Sequence, residues 1–436
     1  MTINLSLSFQ HLPQPVNVWQ TWYVAYSGGL DSTVLLHLLW QLGLPVHAVH
    51  VNHQLQPLAD SWAELCAEQC RQWKIPYTLK KVTVQKNPGE SPEAAARHVR
   101  YAAFKEIVTT NSVLCTAHHQ DDQAETLLLQ LLRGSGIAGM AAMPVCTSFN
   151  SGVLLRPLLN ATRAELAQYA AQHQLKWIDD PTNAEDIFDR NYLRQHIMPL
   201  LKHRWPAAAQ TIARSAEHCA EAEELLQEHT ARDYQQVHEG HELLIDRLHE
   251  LSPARQRQVI RFWLSEQQLP LPSTAQLQQI QTEVLASRED AEPLVHWSGV
   301  NIQRYRGRLY ANKDQTKLDL TNVKLPWDLS QPLILPGNLG TLTAQLIEGE
   351  GISANRLAAT PITIQFRRGG ERCRPATRSH SQTLKNLFQE YAIPTWQRDQ
   401  IPLLYCGDEI AAVLGQWICL NYSAKADEQG WVINWN

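Results

Sequence analysis

The sequence predicts an α/β protein: an N-terminal doubly wound, mostly parallel sheet, then a helical domain, then a small α+β C-terminal domain. Three patterns predict it. Residues 20–135 alternate short apolar runs with helical periods, the rhythm of a parallel sheet covered on both faces. Residues 206–268 read as long amphipathic helices rich in Ala, Glu and Gln. From 295 onward short strand-like runs are broken by Pro326, Pro332 and Pro336-Gly337-Asn338, and the chain closes on the apolar Trp431-Val432-Ile433-Asn434-Trp435. Domain boundaries are expected at 1–215, 216–350 (helical, ending in a linker) and 351–436.

Taken in order, 22–26 reads as a strand and 33–42 as a helix. A buried strand at 46–51, a helix at 61–73 and a strand at 77–84 follow. Residues 92–110 form a helix with Pro92 near its start, where proline is tolerated. Residues 113–116 are a strand, and 121–133 an apolar helix stopped by Gly134-Ser135-Gly136. From 162 to about 230 the chain is mainly helical. Ligands in such sheets sit at the carboxyl ends of the strands, so the turn after 26, His53, and His118-His119 are expected to face one crevice.

At 436 residues the chain is long enough for two or three domains. No apolar run reaches the ~18 residues of a membrane span. Residues 1–17 lack Lys, Arg and a secretory apolar core, so a cytoplasmic location is expected. The eight cysteines form no Cys-x-x-Cys and no zinc-like spacing, as in a reduced protein. Cys66 and Cys70, one helical turn apart, read as small core residues. The net charge of −5 hides a segment, 365–385, with six basic residues against one acid, a patch suited to a phosphate-rich partner.

Ser27-Gly28-Gly29-Leu30-Asp31-Ser32 carries the strongest chemistry. Two glycines allow a sharp turn and close approach to a ligand. The helix that begins there aims free N–H groups and the positive end of its dipole into the turn. Two serine hydroxyls complete a phosphate cradle. There is no Gly-Lys-Ser/Thr and no Gly-x-Gly-x-x-Gly. The pattern resembles the pyrophosphate loop of ATP pyrophosphatases, which cleave ATP between the α and β phosphates. Asp31 puts a carboxylate into an anion site, and a bound Mg²⁺ would account for it.

His118 to Thr126 is the second signal. Asp121 and Asp122 suit a helix start, and Glu125 shares a helix face with Asp122. Two carboxylates on one face at a strand end suit a cationic amine or a metal, and can take a proton from an attacking amine. In Glu93-Ala94-Ala95-Ala96-Arg97-His98-Val99-Arg100-Tyr101, Arg97, Arg100 and Tyr101 fall on one side of a helix, and arginine forks suit phosphate. Each group also has a plain alternative as helix cap or solvated face.

These motifs occur in order with Val51-Asn52-His53-Gln54-Leu55, Arg133-Gly134-Ser135-Gly136, Arg156-Pro157-Leu158-Leu159, Asp179-Asp180-Pro181-Thr182-Asn183 and Arg190-Asn191-Tyr192-Leu193-Arg194. The tail adds Phe366-Arg367-Arg368-Gly369-Gly370-Glu371, Leu384 to Phe388 and Pro394-Thr395-Trp396. Together they resemble the tRNA(Ile)-lysidine synthase family over nearly the whole chain. Asn52 stands where that family commonly has Asp, and Gln54 where it has Gly.

The resemblance implies an adenine nucleotide α-hydrolase-like N-terminal sheet. It implies a ligase that adenylates C2 of the wobble cytidine of tRNA(Ile) with anticodon CAU, then displaces AMP with the side-chain amine of free L-lysine. By motif position it assigns Ser27, Gly28, Gly29, Leu30, Asp31 and Ser32 to ATP, and Asp31 to Mg²⁺. Asp121, Asp122 and Glu125 become the lysine pocket; Arg97, Arg100 and His118 serve the phosphates. Arg190, Asn191 and Arg194, with Arg367, Arg368, Arg372, Arg374, Arg378 and Lys385, become tRNA contacts. The family also suggests a homodimer. Rival readings are a tRNA thiolase, disfavoured by the missing Cys-x-x-Cys, a small-molecule synthetase of the same fold, and a non-catalytic nucleotide-binding module.

Overall fold

The computed structural model describes residues 3, 5–54, 56–84, 92–179, 189–288, 291–313, 319–358 and 360–436, without the side chains of 92–94. The Asp180 to Asn183 part of one motif, Leu55, and the Glu93 and Ala94 side chains therefore lie outside it. The chain divides into two compact units, 1–229 and 230–436.

In the first unit a short helix α1 (Ser6–Phe9) precedes strand β1 (Thr21–Ala25) and helix α2 (Leu30–Gln41). Then come β2 (Val46–Asn52), α3 (Ala59–Trp73), β3 (Tyr77–Lys81), α4 (Pro92–Lys105), β4 (Ser112–Cys115) and α5 (Gln120–Leu132). After α6 (Ile137–Met140), strands β5 (Cys146–Phe149) and β6 (Gly152–Leu155) are followed by α7 (Arg163–Gln172). The sheet order is β3-β2-β1-β4-β6-β5, parallel except for β5 against β6. The doubly wound, mostly parallel sheet expected from the sequence is present. The order runs outward in both directions from β1 and β4, so the crevice at their carboxyl ends is the switch point where such sheets bind ligands.

Alternation along β1 explains the two-sided burial. Trp22 and Val24 enter a core with Leu35, Leu39, Cys66 and Leu166 from α2, α3 and α7. Tyr23 and Ala25 pack on the opposite face, against the core built around Phe104 of α4. Both faces are thus covered, as parallel sheets require.

The second unit begins within a single helix that runs from Ala208 to Val237. A five-stranded antiparallel sheet (238–239, 242–244, 294–297, 300–305, 308–313) packs on the helix Pro253–Glu266. Beyond it lie a five-stranded and a four-stranded sheet. Residue 215 falls inside the long helix, and strand Thr341–Glu348 pairs along its length with Gln429–Trp435. A boundary at 350 would part these two hydrogen-bonded strands, and residues 216–350 contain a sheet as well as helices. Among the described residues no helix is long and apolar enough to cross a membrane.

Candidate active site

The turn after β1 is built around Gly28, whose φ is +84°. A Cβ there would stand 2.6 Å from Cδ1 of Ile178 and 2.7 Å from Sγ of Cys66. Only glycine fits, on both conformation and space. The Ile178 backbone N–H donates to the Gly28 carbonyl at 2.9 Å, fixing the turn from above. Ser32 Oγ donates to the Gly29 carbonyl at 3.0 Å and lies 3.0 Å from Ser27 Oγ. The turn is thus held by hydrogen bonds of its own residues and of Ile178.

Asp31 sits in the first turn of α2, one-third exposed, with Oδ2 3.7 Å from His119 Nε2. Its Oδ1 is buried and has no hydrogen-bond partner. An orphaned carboxylate oxygen beside a phosphate cradle fits Mg²⁺, which takes one or two carboxylates and completes its shell with phosphate oxygens and water. Among the described residues no cluster of three or more His, Cys, Asp or Glu could hold a metal by itself.

Across the switch point, α5 starts with buried charge. His119, Asp121, Asp122 and Glu125 are 2, 9, 8 and 1% exposed. Buried charges persist only when paired, and each acid has its partner. The His119 backbone N–H donates to Asp122 Oδ2 at 3.0 Å, capping the helix. Asp121 turns to the Lys202 ammonium. Arg194 forks onto Glu125 with Nε and Nη2, both at 2.8 Å, and reaches Asp122 Oδ1 at 3.0 Å. Arg190 donates to Thr126 Oγ1 at 2.6 Å and lies 3.4 Å from Glu125. The two arginines arrive on the helical stretch Asp189–Arg204, which carries a π-helical turn at Leu193–Ile197. Such turns recur at functional sites.

A cavity of about 550 Å³ joins these parts. It is lined by Ser27, Gly29, Asp31, Ser32, His53, Arg100, His118, Asp122, Arg190, Asn191 and Arg194, among others. Ten of the fifteen site residues expected within 1–229 thus meet in one cleft; Gly28, Leu30, Arg97, Asp121 and Glu125 do not line it. Arg97 instead stacks on Tyr101, which does line the cavity, 4.9 Å from its ring centroid. In the tail Arg367 pairs with Asp399 at 3.0 Å and Arg378 with Glu390. Arg368, Arg372 and Arg374 each donate to backbone carbonyls, and Lys385 is exposed.

Electrostatics separate the two histidines. Burial pushes the His118 pKa down to about 3; nearby Arg156, Arg190 and Arg97 act the same way against the pull of Asp122. His118 is a neutral imidazole at pH 7, with Nδ1 2.9 Å from Thr116 Oγ1. For His119 burial is outweighed by Asp31, Asp122 and Asp121, and its pKa rises. Sequence reasoning placed His119 at the crevice and Arg156 in a motif but gave neither a role; the doubled histidine before two acids was the available signal for the first. Burial holds the Cys66 thiol up at about 12, and no cysteine lines the cavity.

The His118 shift has a sign that can be tested. A depressed folded-state pKa stabilises above the unfolded value of 6.5 and loses that contribution as pH falls toward 3. Between pH 7 and 5 it should cost about 2 kcal/mol. His118→Asn should remove that share of the acid loss in denaturant melts, leaving the shares of His50 and His53, whose pKa values are also lowered by burial.

The family models agree with this architecture segment by segment. One described as the PP-loop domain matches residues 1–201. Those described as the TilS substrate binding domain and the TilS substrate C-terminal domain match 243–310 and 362–435. A tRNA(Ile)-lysidine synthase of Coxiella burnetii is 44% identical over 94% of this chain and 91% of its own length. That of Methylococcus capsulatus is 38% identical over 99% and 100%, and that of Serratia proteamaculans 42% over 94% of each. The chain belongs to the tRNA(Ile)-lysidine synthase family.

The turn after β2 places a side-chain-bearing residue, Gln54, where glycine would be relaxed. Its φ is +55°, a left-handed conformation that costs a side-chain-bearing residue about 1–2 kcal/mol. The Gln54 N–H donates to Asn52 Oδ1 at 2.8 Å, and Asn52 Nδ2 to Asp60 at 2.8 Å, so the turn is held despite the strain. Gln54→Gly should raise stability to urea by up to about 1 kcal/mol, since glycine's own chain entropy offsets part of the gain.

Proposed function

We propose that this lysidine synthase family member runs both halves of its reaction in the cleft between the β1 and β4 strand ends. One observation carries the reading: the Ser27–Ser32 phosphate loop and the His118-to-Asp122 acid turn line the same cavity. In the first half the cytidine C2 oxygen attacks the α-phosphorus of ATP, the α–β bridging bond breaks, and pyrophosphate leaves. The free N–H groups at the α2 start and the hydroxyls of Ser27 and Ser32 suit the departing anion. Asp31 would hold Mg²⁺, which when bound neutralises phosphate charge. Arg100, with Arg97 stacked on Tyr101, supplies positive charge near the α-phosphate, and neutral His118 offers an uncharged hydrogen-bonding imidazole there.

In the second half the lysine side-chain amine attacks C2, the C2–O bond breaks, AMP leaves, and the nitrogen sheds a proton. Asp122 and Glu125 suit the incoming ammonium and Asp122, on the cavity wall, suits its proton. They already bind a cation of that kind, the Arg194 guanidinium. An incoming ammonium therefore takes over contacts that Arg194 makes, freeing Arg194, with Arg190 and Asn191, for the anticodon loop. A wobble base reaches such a cleft only when splayed from its stack. Asp121, tied to Lys202, supports the turn. A second copy of the chain is part of the family expectation and of this proposal.

The test is direct. Protein, ATP, Mg²⁺, labelled lysine and bulk tRNA should place label in one isoleucine tRNA, with one AMP and one pyrophosphate per label. Pyrophosphate release without label, or sulfur transfer into tRNA, would overturn the reading.

A further inference from the structure

Tyr101 lines the cavity of about 550 Å³, and the ligation chemistry above gives its hydroxyl no part. Its ring is fixed by Phe104 and Phe149, which it meets edge-on with centroids 6.2 and 5.9 Å away. Two guanidiniums approach its hydroxyl. Arg97, one turn earlier on α4, places Nη2 3.5 Å from the oxygen. Arg156, the residue after β6, brings the second. Arg156 is 6% exposed, and its Nη1 donates to the Pro144 carbonyl at 2.6 Å. Its Nε is buried without a partner.

Hydrogen-bond arithmetic fixes the polarity of the phenol. A guanidinium has donors only, so the Tyr101 oxygen accepts from both. Its own proton goes to a third group. Among the described residues none accepts it, and the residue lines the cavity. Charge says what the third group is. Among the described residues neither Arg97 nor Arg156 has a carboxylate partner, in contrast to Arg190 and Arg194. Burial lowers the Arg156 pKa and the like charge of Arg97 adds to this, against the opposing pull of Tyr101. Two such cations side by side favour an anionic oxygen next to them. They also polarise the phenol into a stronger donor. A cytidine carbonyl is neutral, and the β- and γ-phosphates belong to the Ser27–Ser32 loop. The α-phosphate is the anion that remains.

We propose that Tyr101 is a catalytic residue of the adenylation step, its O–H donating to a non-bridging oxygen of the α-phosphate while Arg97 and Arg156 position the hydroxyl and balance the charge. The inference rests on the reading that ATP and the wobble cytidine share this cleft. In that step the bond from the C2 oxygen to the α-phosphorus forms, the bond to the α–β bridging oxygen breaks, and pyrophosphate leaves with the electron pair. Tyr101 keeps its proton throughout.

The test compares full-length wild type and Tyr101→Phe in single turnovers. Each reaction holds Mg²⁺, a tRNA(Ile) transcript with a CAU anticodon, and either ATP or one diastereomer of its α-phosphorothioate. Tyr101→Phe keeps the ring, its two aromatic neighbours and the face that Arg97 stacks on, so the melting temperature should not move. Pyrophosphate release should slow about 10²-fold, with tRNA affinity and the lysine KM unchanged. Sulfur is a poor acceptor, so one diastereomer should slow wild type, and that penalty should shrink about tenfold in Tyr101→Phe. Arg156→Lys, which keeps the charge and loses the fork, should shrink the same penalty in part. A full rate in Tyr101→Phe would overturn the proposal. So would a slow rate with both sulfur penalties intact, which would put the hydroxyl on a group other than the α-phosphate. If wild type is active and Tyr101→Phe is its equal, only the role of Tyr101 fails; if wild type releases no pyrophosphate with this tRNA, the ligase reading itself fails.

Discussion

Asp31→Asn is expected to lower tRNA-dependent pyrophosphate release by about 10²–10³-fold while the protein stays folded and binds tRNA. The substitution keeps the side-chain volume and one oxygen. It removes the negative charge at the point where a buried Oδ1 has no protein partner. The folding cost is small, because an acid in the first turn of a helix contributes only about 0.3–1 kcal/mol. The effect should be partly relieved by raising Mg²⁺, which a structural role would not produce. The variant also takes away one of the carboxylates that raise the His119 pKa. Normal turnover, or a loss that Mg²⁺ leaves untouched, would remove Asp31 from the nucleotide site. Pyrophosphate release and tRNA affinity are to be measured on the same preparation.

What could be read from sequence followed from local physics. Gly28 needs its left-handed turn, a requirement of one residue that is visible in the sequence as a glycine between strand and helix, whereas Gly29 has an ordinary φ of −71°. The strand ends could be placed because β1, β2 and β4 carry period-two or continuous apolar runs. The Arg194 fork could not. It joins residues 69 and 72 apart, and no local rule says that two arginines read as RNA contacts will instead neutralise the acids read as an amine pocket. Residues 341–348 look like a linker in sequence because half of the strand's partners, 429–435, come at the far end of the chain. The 365–385 arginines read as a free basic patch, but several are spent on holding loops, Arg378 on Glu390 and Arg368 on the Thr321 carbonyl at 2.8 Å. Charge counts do not see such pairings.

Glu125→Gln carries the other large effect, on stability and on chemistry together. Glu125 is 1% exposed and takes two of the three contacts Arg194 makes to the acids, as well as the approach of Arg190. Neutralising it strands guanidinium charge in a closed site, and breaking a buried pair on one side costs about 3–5 kcal/mol. Arg194→Met removes the fork from the other side. The double variant Glu125→Gln with Arg194→Met should recover much of the loss, a coupling that denaturant melts of the four proteins would read. The catalytic signatures should diverge. Glu125→Gln should raise the lysine KM and lower lysine transfer about 10²-fold or more, while tRNA adenylation, followed as pyrophosphate release, continues. Arg194→Met should weaken tRNA binding without raising the lysine KM, because the acids it vacates are then open to the ammonium. If both single variants raise the lysine KM equally, Arg194 and Glu125 act as one fixed structural unit. The lysine contact then belongs to Asp122 alone, the only one of the three acids that reaches the cavity wall.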